Sequence, residues 1–365
     1  MSTYLRFLFA FVIGVLVAAA TLNYLVDPEN IYREGGVNPK SYARALINSE
    51  HGLWDMAGTN DERLLAKEVS VYSNRADCVV VGSSHVMQIG NNRAPRPLLD
   101  ICQSFLNLGV SGGSIQDHIT LAYLAIKNGQ SGHPTNIILG VDPWIFSFNK
   151  DRRWFAYRDE YQQAKVGIGG LDKRISDDSH SQTPWIGKLT NLINLEYTIR
   201  SVRTLVRDYR QGSPTIKEAP NVDITSGGEY PVRLRDNSYV YDKKHIAESA
   251  RTMVPLGGST YLTDGKLNQD DAINAYRGLL LWIRAKGVEP ILLLTPYHEN
   301  VFRAPQTPNT VAITATEPLV LQLAHEMGIR VLGSYDPKMF GCLNGEFYDF
   351  MHPTADCLKK LQWRP

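Results

Sequence analysis

Five short β-branched runs, each stopping at a glycine or a small-residue turn, constrain this chain more than any other feature. They are ADCVVVGSS (76–84), SFLNLGVSGGS (104–114), NIILGVDP (136–143), EPILLLTPY (289–297) and IRVLG (329–333). Helical patterns separate them. Behind the second run, Ile115, Ile119, Ala122 and Ile126 recur at helical spacing, with Ser114 and Asp117 resembling a capping box. Asp271 to Gly287 reads as an amphipathic helix closed by glycine, and another helix is expected over 312–327. This alternation predicts an α/β protein built on a flavodoxin-like, doubly wound parallel sheet with helices on both faces. Such sheets bind ligands at the carboxyl ends of their strands. Ser84, Gly112, Asp142, Tyr297 and His298 all lie just past such ends.

The pattern lapses over about 150–265, a stretch rich in charge, Tyr, Gly and Ser with one helix expected around 186–210. It reads as an insertion in a domain spanning 76–365, placed as a cap over the site. Upstream, 27–75 is a juxtamembrane segment with one or two helices. Residues 1–26 differ in kind: after Arg6, no charge occurs from Phe7 to Val26. Roughly 20 apolar residues are what a helix needs to cross a bilayer. The length of the run and its thin basic flank favour an uncleaved signal anchor. Ala18-Ala19-Ala20 leaves a cleaved signal peptide as the alternative. Either reading puts the remaining chain outside the cytoplasm, on the outer face of the inner membrane.

Composition removes several function classes. A net charge of +1 in 365 residues, 43% of them hydrophobic, offers no basic face for nucleic acid. The nine histidines form no H-x-x-x-H pair and the cysteines lack zinc-type spacing, so neither a metal nor another cofactor is expected. Cys78 and Cys102 begin adjacent strand-like runs, while Cys342 and Cys357 bracket a short segment. Disulfides Cys78–Cys102 and Cys342–Cys357 suit an oxidising compartment, and four buried free thiols are the equal alternative.

Three elements carry potential chemistry. In Gly82-Ser83-Ser84, a serine on a tight turn after a strand presents its hydroxyl at the sheet edge, although such serines also serve as helix caps. In Asn107-Leu108-Gly109-Val110-Ser111-Gly112-Gly113, glycines let backbone N–H groups approach an oxyanion, or simply allow a tight turn. Near the C-terminus, Asp349 and His352 can share one turn, the carboxylate orienting the imidazole toward a nucleophile.

Together, in this order, these elements resemble the SGNH (GDSL-like) hydrolase superfamily across about 76–353. The resemblance implies Ser84 as nucleophile, His352 as base and Asp349 as its partner. It also implies an oxyanion held by the N–H groups of Ser84 and Gly112. The chain departs from the family twice. Block one reads G-S-S instead of G-D-S, and block three offers Asp142, in Gly140-Val141-Asp142-Pro143-Trp144, where an asparagine is usual. With its N-terminal anchor, the chain is similar to the anchored SGNH-like proteins of alginate acetylation and teichoic-acid D-alanylation. That likeness implies a glycan substrate, a membrane-bound O-acyltransferase partner and acyl transfer through an acyl-serine. A plain esterase, or an idle polysaccharide-binding scaffold, are the alternatives. Trp144, Trp154, Tyr157, Tyr161 and Tyr297 fit a sugar-stacking rim, although packing in the core or on the surface is the commoner role for any one of them; His298 could bond hydroxyls, and Asp142 could do so or hold its turn.

Overall fold

Strands this short and apolar are stable only when both faces are covered, and that requirement organises the domain. A computed structural model describes residues 3–27, 32, 38–54, 61–129, 132, 134–146, 153–168, 189–190, 192–211, 215–221, 230–242, 269–303 and 308–365. The apolar N-terminal run is helix α1 (Thr3–Val26), long and apolar enough to cross a membrane or act as a signal. Asn38 then caps α2 (Pro39–Asn48), strand β1 (Leu53–Trp54) follows, and Asp61 caps α3 (Glu62–Ser70). The alternating part comprises β2 (Cys78–Val81), β3 (Phe105–Asn107), α4 (Ile115–Asn128) and β4 (Asn136–Gly140). Its middle contains α5 (Arg158–Ile168), α6 (Leu195–Gln211), β5 (Val232–Arg233) and β6 (Tyr239–Val240). It closes with α7 (Asp270–Ala285), β7 (Glu289–Leu294), α8 (Pro308–Met327) and β8 (Arg330–Gly333).

β2, β3, β4, β7 and β8 form one wholly parallel sheet in the order β3-β2-β4-β7-β8. Each lies within a run that the sequence marked. Alternate residues point to opposite faces, and both faces are dry. Val79, Val81, Ile137, Leu139, Leu292 and Leu294 pack on one side, with α3, α4, α7 and α8. Val80, Ile138, Ile291, Leu293 and Leu332 pack on the other. Burying one such side chain stabilises the fold by about 1.5–3 kcal/mol. The second face departs from expectation, because the turns Arg96–Leu99 and Ala355–Leu358 cover it in place of long helices.

The stretch read as an insertion is also more integrated than a cap. Tyr161, Ala164 and Ile168 of α5 belong to the main core. β5 and β6 join β1 in a small antiparallel sheet, tying the segment before the first parallel strand to the middle of the chain. The backbone after β5 seals the outer edge of β3: Asn107 N–H donates to Asp236 O, and Asn237 Nδ2 donates to Asn107 O. An unpaired edge would otherwise template aggregation. The helix expected over 186–210 appears as α6 from Leu195 onward, after a break at 193–194; residues 186–188 and 191 lie outside the described ones. Both cysteine pairs are disulfides, Cys78–Cys102 and Cys342–Cys357, and no described cysteine is free. The first joins β2 to the approach of β3, and the second closes the loop holding Asp349 and His352.

Candidate active site

The sheet's strand order reverses between β2 and β4, the point at whose carboxyl ends doubly wound sheets bind ligands. Ser84 follows β2 there and Asp142 follows β4. Of the paired serines, buried Ser83 is the cap, its hydroxyl accepting from His85 N–H at 3.2 Å. Ser84 is thereby left to point elsewhere, half-buried, with its Oγ 2.8 Å from His352 Nε2. The helical turn that follows, Ser84–Val86, is too short to lend an appreciable dipole.

His352 and Asp349 occupy a small, strongly determined loop. Phe347 and Pro353 form an antiparallel bridge, and Tyr348 N–H donates to His352 O. Asp349 Oδ1 accepts the N–H groups of Met351 and His352 at 2.7 and 2.8 Å, closing the turn. Its Oδ2 lies 2.8 Å from His352 Nδ1. A carboxylate only accepts, so Nδ1 carries the proton and Nε2 is left to accept from Ser84. Burial pushes the Asp349 carboxyl up. Hydrogen bonds from the His352 side chain, its charge and the Met351 and His352 N–H groups outweigh this and bring it down to about 2. Burial also lowers His352 below its ordinary value, despite the opposing pull of Asp349. Gln88 fastens this loop to the serine's turn, donating to Pro353 O and accepting from Tyr348 Oη.

The glycine-rich turn lies against the same strand end. A side chain on Gly113 would place Cβ 2.8 Å from Gly82 O, so only glycine permits this approach. Leu108, Gly109, Val110 and Ser111 N–H donate to Val80 O, Asn107 Oδ1, Gly82 O and Glu62 Oε2. Gly113 and Ser114 N–H donate to Val110 O and Asp117 Oδ2. Within this turn the Gly112 N–H, at a φ of 59°, has no acceptor among the described residues, and the Ser84 N–H beside it has none among them either. Behind the turn, Asp117 receives a bidentate pair from Arg63, both contacts at 2.8 Å, and a bond from Tyr157 Oη. Arg63 is 3% exposed, which makes this a clamp inside the protein.

Asp142 lies inside the protein, in the turn after β4. It is 1% exposed, and its Oδ1 sits 2.6 Å from His85 Nδ1. His85 packs edge-on against His352 with ring centroids 5.0 Å apart, so a second His–Asp pair backs the first. For the aromatics weighed as a rim, packing is what the structure describes. Trp154, Tyr157 and Tyr161 are core residues, and Tyr297 is buried against His85. Trp144 is 6% exposed and donates Nε1–H to Gly113 O. His298 is 3% exposed and accepts Asn300 N–H on Nδ1, which leaves it a structural cap. Rings this large stabilise most by complete burial, and adjacency in sequence to a strand end does not change that. Tyr241, which no sequence motif marks, has its ring 4.5 Å from Tyr348 and 6.1 Å from His352. His85 carries one sequence signal, its place directly after Ser84. Among the described residues, no group of three His, Cys, Asp or Glu side chains is arranged to hold a metal ion.

A comparison of the sequence with models of known protein families gives no match, and neither does a comparison with curated protein sequences.

Proposed function

We propose that this chain is an extracytoplasmic, serine-dependent acyl-transfer enzyme of SGNH type. The observation that carries the reading is the hydrogen-bonded series Ser84–His352–Asp349, assembled from residues 268 positions apart. Counted in chain order, the parallel strands run 2-1-3-4-5, the flavodoxin-like order, and the series lies at its switch point. In this reading His352 Nε2 takes the Ser84 proton as Oγ attacks an acyl carbonyl. The Gly112 and Ser84 N–H groups receive the developing oxyanion. Collapse expels the leaving group, which takes the proton back from His352 and leaves an ester on Ser84. An acceptor hydroxyl, deprotonated by the same imidazole, then attacks that ester and restores the serine.

We read the acceptor as a cell-envelope or exported polysaccharide and the donor as a membrane-bound O-acyltransferase, on the likeness to anchored acetylation proteins and the apolar helix α1. Water in place of the glycan hydroxyl makes the same chemistry an esterase. The decisive experiment treats the full chain in detergent with 4-nitrophenyl acetate and follows intact mass. An acetyl adduct on Ser84 is expected, absent from Ser84→Ala, with turnover reduced about 10³-fold or more. A folded wild type that neither acquires the adduct nor turns over the ester rejects the reading.

A further inference from the structure

The surface of α6 is not that of a helix facing water. Leu195, Ile199, Val202, Val206 and Tyr209 follow one another at helical spacing and are all exposed, Leu195 by 75% and Tyr209 by 90%. Soluble surfaces rarely carry a continuous apolar stripe along a helix about 25 Å long. The register also places Arg200 and Arg203, both exposed, about 100° around the axis from that stripe. On a third side, Tyr197 and Ser201 are buried.

The position of α6 gives this pattern its meaning. α6 packs on α1. Asn23, within the last turn of α1, donates Nδ2–H to Leu192 O at 2.8 Å and to Thr198 Oγ1 at 2.9 Å. Tyr197 Oη donates to Asp27 Oδ1 at 2.8 Å, just past the end of α1. The start of α6 is thus pinned where the apolar helix ends. If α1 crosses a bilayer, that point lies at the level of the lipid headgroups.

We infer that α6 is a second membrane contact: an interfacial helix whose apolar stripe enters the outer leaflet while its arginines meet anionic headgroups. The occupant of the exposed stripe is lipid, because the helix that carries it is pinned at the end of the apolar helix α1 and the stripe is bordered by cationic side chains. Two contacts in place of one restrict rotation about α1 and hold the domain at a set height above the membrane. The inference rests on α1 being inserted.

The test uses the full chain, with its two disulfides intact, carrying one fluorophore-labelled cysteine at a time. The positions are Leu16→Cys in α1, Val202→Cys and Val206→Cys in α6, and Met339→Cys on the exposed far part of the domain. Each protein is reconstituted in vesicles of phosphatidylethanolamine and phosphatidylglycerol or of phosphatidylcholine alone, with and without brominated acyl chains. Labels at Val202 and Val206 are expected to be quenched at least twofold more than at Met339, and more strongly with phosphatidylglycerol. Quenching at Leu16 but only the Met339 level at Val202 and Val206 overturns the inference and leaves the anchor standing. No quenching at Leu16 overturns both. Labels on α6 protected from aqueous iodide yet untouched by brominated lipid identify a protein occupant and also overturn it. Equal quenching in the two lipid compositions removes the role given to the arginines.

Discussion

At the residue scale, two imidazoles, His85 buried and His352 half-buried, with ring centroids 5.0 Å apart and each bonded to its own carboxylate, set the pH response of the proposed chemistry. Burial holds His352 below its ordinary value of 6.5. The base is therefore neutral, and active, at pH 7. The rate is expected to rise with pH through a midpoint below 6.5 and then stay level, measured as kcat/KM for 4-nitrophenyl acetate between pH 4 and 8. The negative charge of Asp142 opposes that lowering. Asp142→Asn keeps an oxygen for His85 Nδ1–H but removes the charge, so its midpoint moves to still lower pH while the plateau persists. A midpoint that moves upward contradicts the placement of this charge. The three proposed catalytic side chains were legible in the sequence because each follows a local signature, a strand-end turn or a D-x-x-H. The pairing of His85 with Asp142 was not. It joins residues on two strand ends whose proximity depends on β2 and β4 being neighbours.

At the element scale, the loop from Phe347 to Pro353 places two of the three groups, and little regular structure holds it. Its rigidity comes from one bridge, the two turn bonds to Asp349, Gln88 and the Cys342–Cys357 disulfide. A cross-link over a separation of 15 residues removes about 3 kcal/mol of chain entropy from the unfolded state. Replacing both cysteines by serine is expected to lower stability by up to that amount in a denaturant titration. It should also reduce kcat more than it raises KM, because the loop positions His352 and does not itself hold substrate. An unchanged kcat would show that the bridge and Gln88 suffice. The glycine-rich turn is held differently, by Arg63 and Glu62 reaching from α3. That connection makes the segment after α1 part of the site's support.

At the scale of the whole molecule, burying titratable groups in a dry α/β core costs acid tolerance. His118, on α4, is fully buried beside Tyr276, and desolvation lowers it from 6.5 to about 4, against the charges of Asp142 and Asp117. Its depressed pKa means that the unfolded chain binds the proton more readily. Stability is therefore full above pH 6.5 and is lost as pH falls from 6.5 toward about 4, by up to ~3 kcal/mol. Asp349 adds a second loss below its ordinary value of 3.8. Thermal melts between pH 7 and 4 are expected to show this decline, with a shallower slope for His118→Phe; an unchanged slope would assign the acid sensitivity elsewhere. By itself, the sequence determined the five parallel strands, the helices between them, the apolar N-terminal helix and the three residues proposed to act. Those features are written in short-range periodicity and turn chemistry, which sterics impose on neighbouring residues wherever the chain goes. Only the tertiary structure decided that Trp154, Tyr157 and Tyr161 are core, that the residues after β5 seal the edge of β3, that the four cysteines pair, and that Tyr241 reaches His352. Each of these depends on which distant surfaces meet, and that is settled by strand order and by the competition among apolar side chains for a limited dry interior.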